Sequence, residues 1–509
     1  MIGKILSATV VGLTAEQIEV EADVSNGLPA TIVVGLPDAA VQESRERVKS
    51  ALKNSSCSYP ATRVSVNLAP ADTQKIGTGF DVPIALAILL ASGQFSFSGE
   101  GRWFVGELAL DGSVRPVQGV LAIALRAREL GVRELFVPSA NTAEASLVDG
   151  LYIYSYASLT VLLRHLVGVF PLSPSESVDV STLAALVVTG LDMADVAGQQ
   201  SVKRVLEVAA SGGHNVLMSG PPGSGKTLLA RAFATILPPL HISECLELTK
   251  IYSIAGKLPA TGVVTERPMR SPHHTTSSVA LVGGGGLPRP GEITLAHKGV
   301  LFLDELPEFS RAVLESLRQP LEDGVVTVSR AKNTFTFPAK FMLVAAQNPC
   351  PCGYFGDRGG KTCVCGPAVM HKYQKRLSGP LLDRIDLHID VPRLPYEIMA
   401  QGEPGESSVV IAARVKVARE IQYARLGEGR VNSEMTISEI KKHCALSEVA
   451  HTTLSQASEV YKLSGRSIHR VLKVARTIAD LGAREHISVG DLGEALQYRT
   501  GSDSLETVV

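Results

Sequence analysis

The octapeptide Gly220-Pro221-Pro222-Gly223-Ser224-Gly225-Lys226-Thr227, between the apolar run Val216 to Met218 and the helix-like stretch Leu228 to Leu237, constrains this chain more than any other segment. A glycine-rich turn from a buried strand into a helix is a phosphate cradle. Gly220, Gly223 and Gly225 free successive backbone N–H groups to face a polyphosphate, and the following helix presents its positive end there. Lys226 is then placed for the β and γ phosphates of a nucleoside triphosphate, and Thr227 for Mg²⁺. The expected architecture is α/β, a parallel sheet between helices.

A second element agrees. Val300-Leu301-Phe302-Leu303 reads as a buried parallel strand and ends in Asp304 and Glu305. Beside a phosphate cradle, Asp304 would sit near the metal and Glu305 would polarise the water that attacks the γ phosphate. A third apolar strand, Phe341 to Ala346, ends in Gln347 and Asn348, and Asn348 is suited to orient that water. Together these parts resemble the AAA+ ATPases, in which the strand-end asparagine is called sensor 1. The resemblance implies ATP and Mg²⁺ as cofactors.

A length of 509 residues allows about three domains at ~150 residues each. The formal net charge of −1 gives no global basic signature, so any nucleic-acid surface must be local. There is no apolar run of about 18 residues, and the opening MIGKILSATVVGL passes directly into acidic, strand-like sequence. The expectation is a soluble cytoplasmic protein with no membrane segment. Residues 1–168 are rich in short β patterns, such as Ala8 to Val11, Gln17 to Val24 and Ala30 to Val34. Residues 169–184 contain the aperiodic stretch PLSPSESVDVS and read as a linker. The ATPase core is expected over 185–395, and the helical patterns of 396–509 predict a lid domain.

Within the first segment, KIGTGFDVPIALAILLASG at 75–93 and VGELALDGSVRPVQGVLAIALRARELGV at 105–132 resemble the proteolytic domain of Lon proteases. In that family a Ser nucleophile follows a Gly-Pro pair, and a Lys base follows a Pro-x-Gly-Gly turn. Here those positions carry Gly79 and Leu121, which can neither attack a carbonyl nor accept its proton. The domain is expected to be an inactive α+β module. Lys75 and Asp81 read as surface or packing residues.

The run RPMRSPHHTTSSVALVGGGGLPRPGEITLAHKGVLFLDELPEFSR at 267–311, joined to the Lon-like front, resembles the ComM/YifB family of magnesium-chelatase-like AAA+ proteins over essentially the whole length. That resemblance implies a hexameric, ATP-driven DNA motor of helicase or branch-migration type. It implies action on single-stranded and branched duplex DNA in recombination and natural transformation, with recombination proteins as possible partners. A magnesium-chelatase-type protein-remodelling ATPase is the alternative, from which the Lon-like front and a cysteine cluster depart. An ATP-dependent protease is disfavoured by Gly79 and Leu121.

In GPLLDRIDLHIDVPR at 379–393, Arg384 matches the arginine that in AAA+ rings reaches the γ phosphate of the neighbouring subunit. The alternative is a salt bridge with Asp383 or Asp386. In LSGRSIHRVLKVAR, Arg466 at a helix start matches the sensor 2 arginine, with Arg470 one turn later as the alternative. The segment DGVVTVSRAKNTFTFPAK at 323–340 alternates like a hairpin, with Arg330 and Lys332 at its tip. MCM helicases, to which the family is similar, project such a hairpin into the ring pore, so these two cations are the candidate DNA contacts, against the reading of a solvated turn. Arg270, His273, His274 and Lys298 flank a second, glycine-rich insertion, which is the other candidate for contact with DNA.

Directly after Asn348, Cys350, Cys352, Cys363 and Cys365 form two Cys-x-Cys pairs. Four thiolates complete a tetrahedral Zn²⁺ shell, so a structural zinc loop is expected, with free thiols or a redox pair as alternatives. Cys57, Cys245 and Cys444 read as isolated buried residues.

Overall fold

A computed structural model describes residues 2–178, 191–285, 288–329, 334–357, 361–401 and 405–500. Arg330 and Lys332, with part of the expected linker, lie outside the described residues. The chain forms two compact units. The first comprises 1–185, 241–265 and 288–290; the second comprises 186–240, 266–287 and 291–509.

In the first unit, β1 (Ile2–Val11) and β2 (Thr14–Ser25) form a long antiparallel hairpin, its turn closed by Gly12 at φ +62°. Further strands are β3 (Ala30–Val34), β4 (Arg63–Ala69), β5 (Arg102–Phe104), the small pair β6 (Glu107–Leu108) and β7 (Val114–Arg115), β8 (Glu134–Pro138) and β9 (Tyr152–Tyr156). Seven of them make one mixed sheet in the order β3-β4-β2-β1-β5-β8-β9. The helix Asp81–Ala91 is apolar nearly all round and almost wholly buried, as a helix must be when it lies inside a core. It packs with Ile18, Val20, Val64, Val66 and Phe104.

The helix Ile242–Ile254 also belongs to this first unit. The sequence reading ran the ATPase core without a break from 185 to 395, whereas the structure gives 241–265 to the N-terminal unit. A buried carboxylate is part of what ties the segment there. Glu144 accepts from Asn141 Nδ2 at 2.6 Å and from Leu121 N at 3.2 Å, and it takes a further hydrogen bond from Ser253 Oγ. Gly119 N donates to the same Ser253 hydroxyl at 3.0 Å. Buried polar atoms need such partners, so the helix carrying Ser253 is tied to the unit that holds Glu144.

In the second unit come β10 (Val216–Ser219), β11 (Met269–Arg270), β12 (Gly283–Gly284), then β13 (Arg289–Pro290) of the first unit, β14 (Val300–Leu303), β15 (Val325–Ser329), β16 (Thr334–Pro338), β17 (Met342–Gln347) and β18 (Leu387–Asp390). Five of these form a parallel sheet ordered β11-β14-β17-β10-β18. β14 is buried at every position, which is why it reads as an unbroken apolar run. β15 and β16 pair antiparallel from Val325↔Pro338 to Ser329↔Thr334, the expected hairpin.

The C-terminal helices Ser408–Leu426, Ile437–His443, Glu448–Val460, Gly465–Leu481 and Val489–Thr500 share one core with the sheet. Polar clamps hold them on the helix Gln200–Gly212. Arg419 donates to Ala210 O at 2.9 and 2.7 Å, Gln422 donates to Ser211 O at 3.1 Å, and His214 Nε2 meets Thr477 Oγ1 at 2.8 Å. The carbonyls of Ala210 and Ser211 lie in the last turn of that helix, where no intrahelical donor is available to them.

Candidate active site

Parallel register brings the ends of β10, β14 and β17 level, with Ser219 opposite Gln347 and Leu303 opposite Ala345. The residues that follow these strands therefore converge at one edge, where ligands of open parallel sheets bind. After β10 the chain turns through Gly223 (φ +77°) and Gly225 (φ +91°), both in the left-handed region open to glycine, and enters the helix Lys226–Thr235. A Cβ on Gly220 would fall 2.3 Å from Val391 O, so that position requires glycine for close packing.

Lys226 is buried, its Nζ donating to Gly220 O at 2.7 Å, Pro221 O at 2.9 Å and Asn348 Oδ1 at 3.2 Å. Burial lowers its pKa, while the nearby carboxylates of Asp304 and Glu305 oppose that shift. Thr227 Oγ1 donates to Asp304 Oδ2 at 2.8 Å. This hydroxyl–carboxylate pair fits the oxygen-rich shell that Mg²⁺ requires, and the cationic lysine in a glycine turn fits a polyphosphate. Glu305 follows at φ +52°, a conformation costly for a residue with a side chain. Its carboxylate is half-exposed, and His274 Nδ1 lies 3.5 Å away, its ring tilted by 35° against His273 at 4.0 Å and edge-on to Phe309.

Arg384 is tied through its backbone to the start of β10. Asn215, just before β10, donates through Nδ2 to Arg384 O at 3.1 Å, and its backbone N donates to Asp386 at 3.1 Å. The Arg384 guanidinium pairs with Glu322, not with Asp383 or Asp386, and donates to Pro380 O at 2.7 Å. Arg466 pairs with the same Glu322. Asp383 and Asp386 are engaged by Arg499 (3.4 Å) and Arg470 (2.8 Å) respectively. Burial would raise the Asp386 pKa, but Arg470, His214 and the Asn215 N–H together hold it well below the usual range. The Arg384 backbone is thus anchored at the start of β10, the other end of that strand from the cradle, and its guanidinium shares Glu322 with Arg466.

The structure adds two residues that the motifs leave out, Glu322 and Asn215, and gives His274 a different partner. Glu322 precedes Arg384 by 62 positions and Arg466 by 144, and no periodicity marks it. Asn215 stands just before the first strand of the motif, and its amide ties Leu343 N (2.8 Å) to Arg384. His274, which flanks the glycine-rich insertion in the sequence, meets Glu305, and nothing in its spacing points there.

The four cysteines also converge. Cys350 Sγ is 3.3 Å from Cys352 and 3.7 Å from Cys363, Cys352 is 3.6 Å from Cys363, and all four sulfurs lie within 4.8 Å of one another. Backbone N–H groups of Tyr354 and Val364 pull the Cys352 thiol down to about 6. Cys57, Cys245 and Cys444 are buried and separate.

In the first unit, a side chain on Gly79 would point toward Val117, and Leu121 is fully buried. Lys75 and Asp81 are packing residues. Lys75 is buried and donates to Pro70 O, its pKa lowered by burial. Asp81 accepts two bonds from Arg47, at 2.6 and 2.9 Å.

Over 499 residues the chain is 44% identical to Competence protein ComM of Haemophilus influenzae, covering 97% of each chain. It belongs to the ComM/YifB family of magnesium-chelatase-like AAA+ proteins. Uncharacterized protein YifB of Salmonella typhimurium is 43% identical over 96% of this chain and 95% of the relative. A Mycobacterium tuberculosis relative is 41% identical over 98% of both. The family model for magnesium chelatase, subunit ChlI, matches residues 192–399; a model for subunit ChlI of Mg-chelatase matches 20–141, and one for the ChlI C-terminal region matches 405–499. This membership points to an ATPase. No helix among the described residues is long and apolar enough to cross a membrane.

Proposed function

We propose that the chain is an ATP-driven DNA motor of helicase or branch-migration type that works as a ring, with six subunits the form the resemblance implies. The observation that carries this reading is the division of polar groups between the two edges of one sheet. Lys226, Thr227, Asp304, Glu305 and Asn348 gather at the strand ends, while Arg384 is anchored through its backbone at the start of β10 and shares Glu322 with Arg466. In a ring, arginines so held would complete the cradle of a neighbouring copy.

In this reading Lys226 binds the β and γ phosphates, and the backbone N–H groups of Gly223 to Thr227 surround them. Thr227 and Asp304 would hold Mg²⁺, which supplies charge neutralisation on the phosphates when bound. Glu305 accepts a proton from the attacking water, and Asn348 orients it. Arg384 and Arg466 of one subunit face the neighbour's γ phosphate. Arg330 and Lys332 remain the proposed DNA contacts at the hairpin tip. The curated relative's name ties ComM to competence, which supports DNA as the substrate. The cysteine centre is proposed to hold Zn²⁺. A cytoplasmic location and recombination proteins as partners belong to the same proposal.

The test is steady-state ATP hydrolysis with and without single-stranded, duplex and four-way-junction DNA. The reading expects stimulation by DNA. Intact basal hydrolysis that no DNA stimulates would favour the second reading, a protein-remodelling ATPase, which the three chelatase family models support.

A further inference from the structure

The cysteine centre does not stand apart from the nucleotide cradle. Asn348, which touches Lys226, is followed after one proline by Cys350. Cys350 is fully buried, and the loop then turns through Cys352 and Gly353. Gly353 has φ +83°, and a Cβ built on it would lie 2.5 Å from Pro222 Cδ and 2.6 Å from Pro222 Cγ. The residue next to one sulfur ligand is therefore pressed on the middle of the phosphate turn, with no room for a side chain. The same imagined Cβ would lie 3.8 Å from Asn348 Cγ.

The sulfurs are arranged for a metal. Around one tetrahedral Zn²⁺ with Zn–S bonds of about 2.3 Å, neighbouring sulfurs stand about 3.8 Å apart, whereas a disulfide requires about 2.05 Å. Three of the observed separations are 3.3, 3.6 and 3.7 Å. Backbone N–H groups directed at Cys352 supply the outer hydrogen bonds that thiolate ligands take. Around the loop, Lys361 lies over the Tyr354 ring at 5.7 Å, and Arg393 reaches Asp357 at 4.0 Å.

We propose that the four cysteines hold a zinc ion whose presence fixes the phosphate turn, so that metal occupancy sets ATP affinity through the Gly353–Pro222 contact. A cross-linked loop cannot retreat from Pro222. Once the metal is gone, the two Cys-x-Cys arms lose the ion that ties their sulfurs together, the wall behind Pro222 relaxes, and the N–H groups of the turn lose their alignment. This rests on the reading of Lys226 and its turn as the ATP site.

The experiment uses full-length protein purified without chelators. Zinc is counted by elemental analysis, then released with an organomercurial under a metal-sensitive dye and restored with thiol and Zn²⁺. At each stage the affinity for a fluorescent ATP analogue with Mg²⁺ is measured, with circular dichroism as the check on folding. Cys363→Ser/Cys365→Ser and Gly353→Ala are measured alongside. The expectation is one zinc per chain and a loss of about tenfold in affinity on stripping, the scale of one well-made hydrogen bond, recovered on refilling. Gly353→Ala is expected to keep its zinc and still bind ATP more weakly. Affinity within twofold after stripping, with zinc counted at one per chain, overturns the coupling. Well under one zinc in the untreated protein overturns the metal assignment. An untreated, zinc-replete protein that binds no analogue overturns the ATP-site reading instead. Should the cysteine double variant fail to fold, the strip-and-refill cycle on the natural chain decides alone.

Discussion

The two units put buried polar side chains to opposite uses. In the N-terminal unit, Lys75, Asp81 and Glu144 are each enclosed and satisfied by the unit's own groups: the Pro70 carbonyl, the Arg47 fork, and Asn141 with Ser253. In the ATPase unit the side chains of Thr227, Asp304, Glu305 and Asn348 meet at a strand edge, and Glu305 keeps a half-exposed carboxylate in a strained backbone. A polar group closed on its own fold contributes stability, while one held at an open edge retains capacity for a ligand. Gly79 and Leu121 in the first unit agree with that division, because neither carries a group that could react.

Substitutions can break this comparison. Lys226→Ala should reduce ATP hydrolysis to background and leave thermal unfolding nearly unchanged, measured by phosphate release and by calorimetry. Arg384→Ala should lower turnover by about 10³-fold, the scale of a transition-state arginine. Mixing Arg384→Ala with Lys226→Ala subunits should recover part of the activity, because a mixed interface can combine an intact cradle with an intact arginine. Glu305→Gln should lower kcat by about 10²-fold with ATP binding retained, as expected for loss of a proton acceptor.

On the other side of the comparison, Glu144→Ala should destabilise the first unit by about 1–3 kcal/mol by leaving Ser253 and the Leu121 N–H without their acceptor. Turnover per folded molecule should stay the same, and a large loss of kcat there would erase the distinction between the units. The smallest effect is expected from Glu322→Gln. A partly exposed ion pair contributes about 0–1 kcal/mol, so kcat should fall no more than about fivefold, with KM unchanged. A shift in KM alone would mean that Glu322 does not align Arg384 and Arg466 for turnover.

Much of the site was legible because its chemistry is local in sequence. A phosphate turn, a strand ending in Asp304-Glu305 and a strand ending in Asn348 each announce themselves within six to eight residues, and parallel register does the rest. The paired cysteines were readable for the same reason. What was not legible depends on long-range pairing. Glu322 gains its meaning only when the chain folds Arg384 and Arg466 onto it. The placement of 241–265 in the N-terminal unit rests on contacts distant in sequence, among them a serine that meets a carboxylate 109 positions away. The contact of Gly353 with Pro222 likewise had no local pattern, since a glycine between cysteines reads simply as a turn. The alternatives of Asp383 and Asp386 for Arg384 were drawn from its nearest neighbours in sequence, and the structure gave those acids to Arg499 and Arg470.

The central claim, that hydrolysis at the strand-edge site moves DNA, is tested most directly by following a fluorescent four-way junction in real time with the full-length protein, ATP and Mg²⁺. The account predicts junction dissociation that requires ATP and disappears with Lys226→Ala and with Glu305→Gln. Steady ATP hydrolysis beside a bound junction that never moves would contradict it.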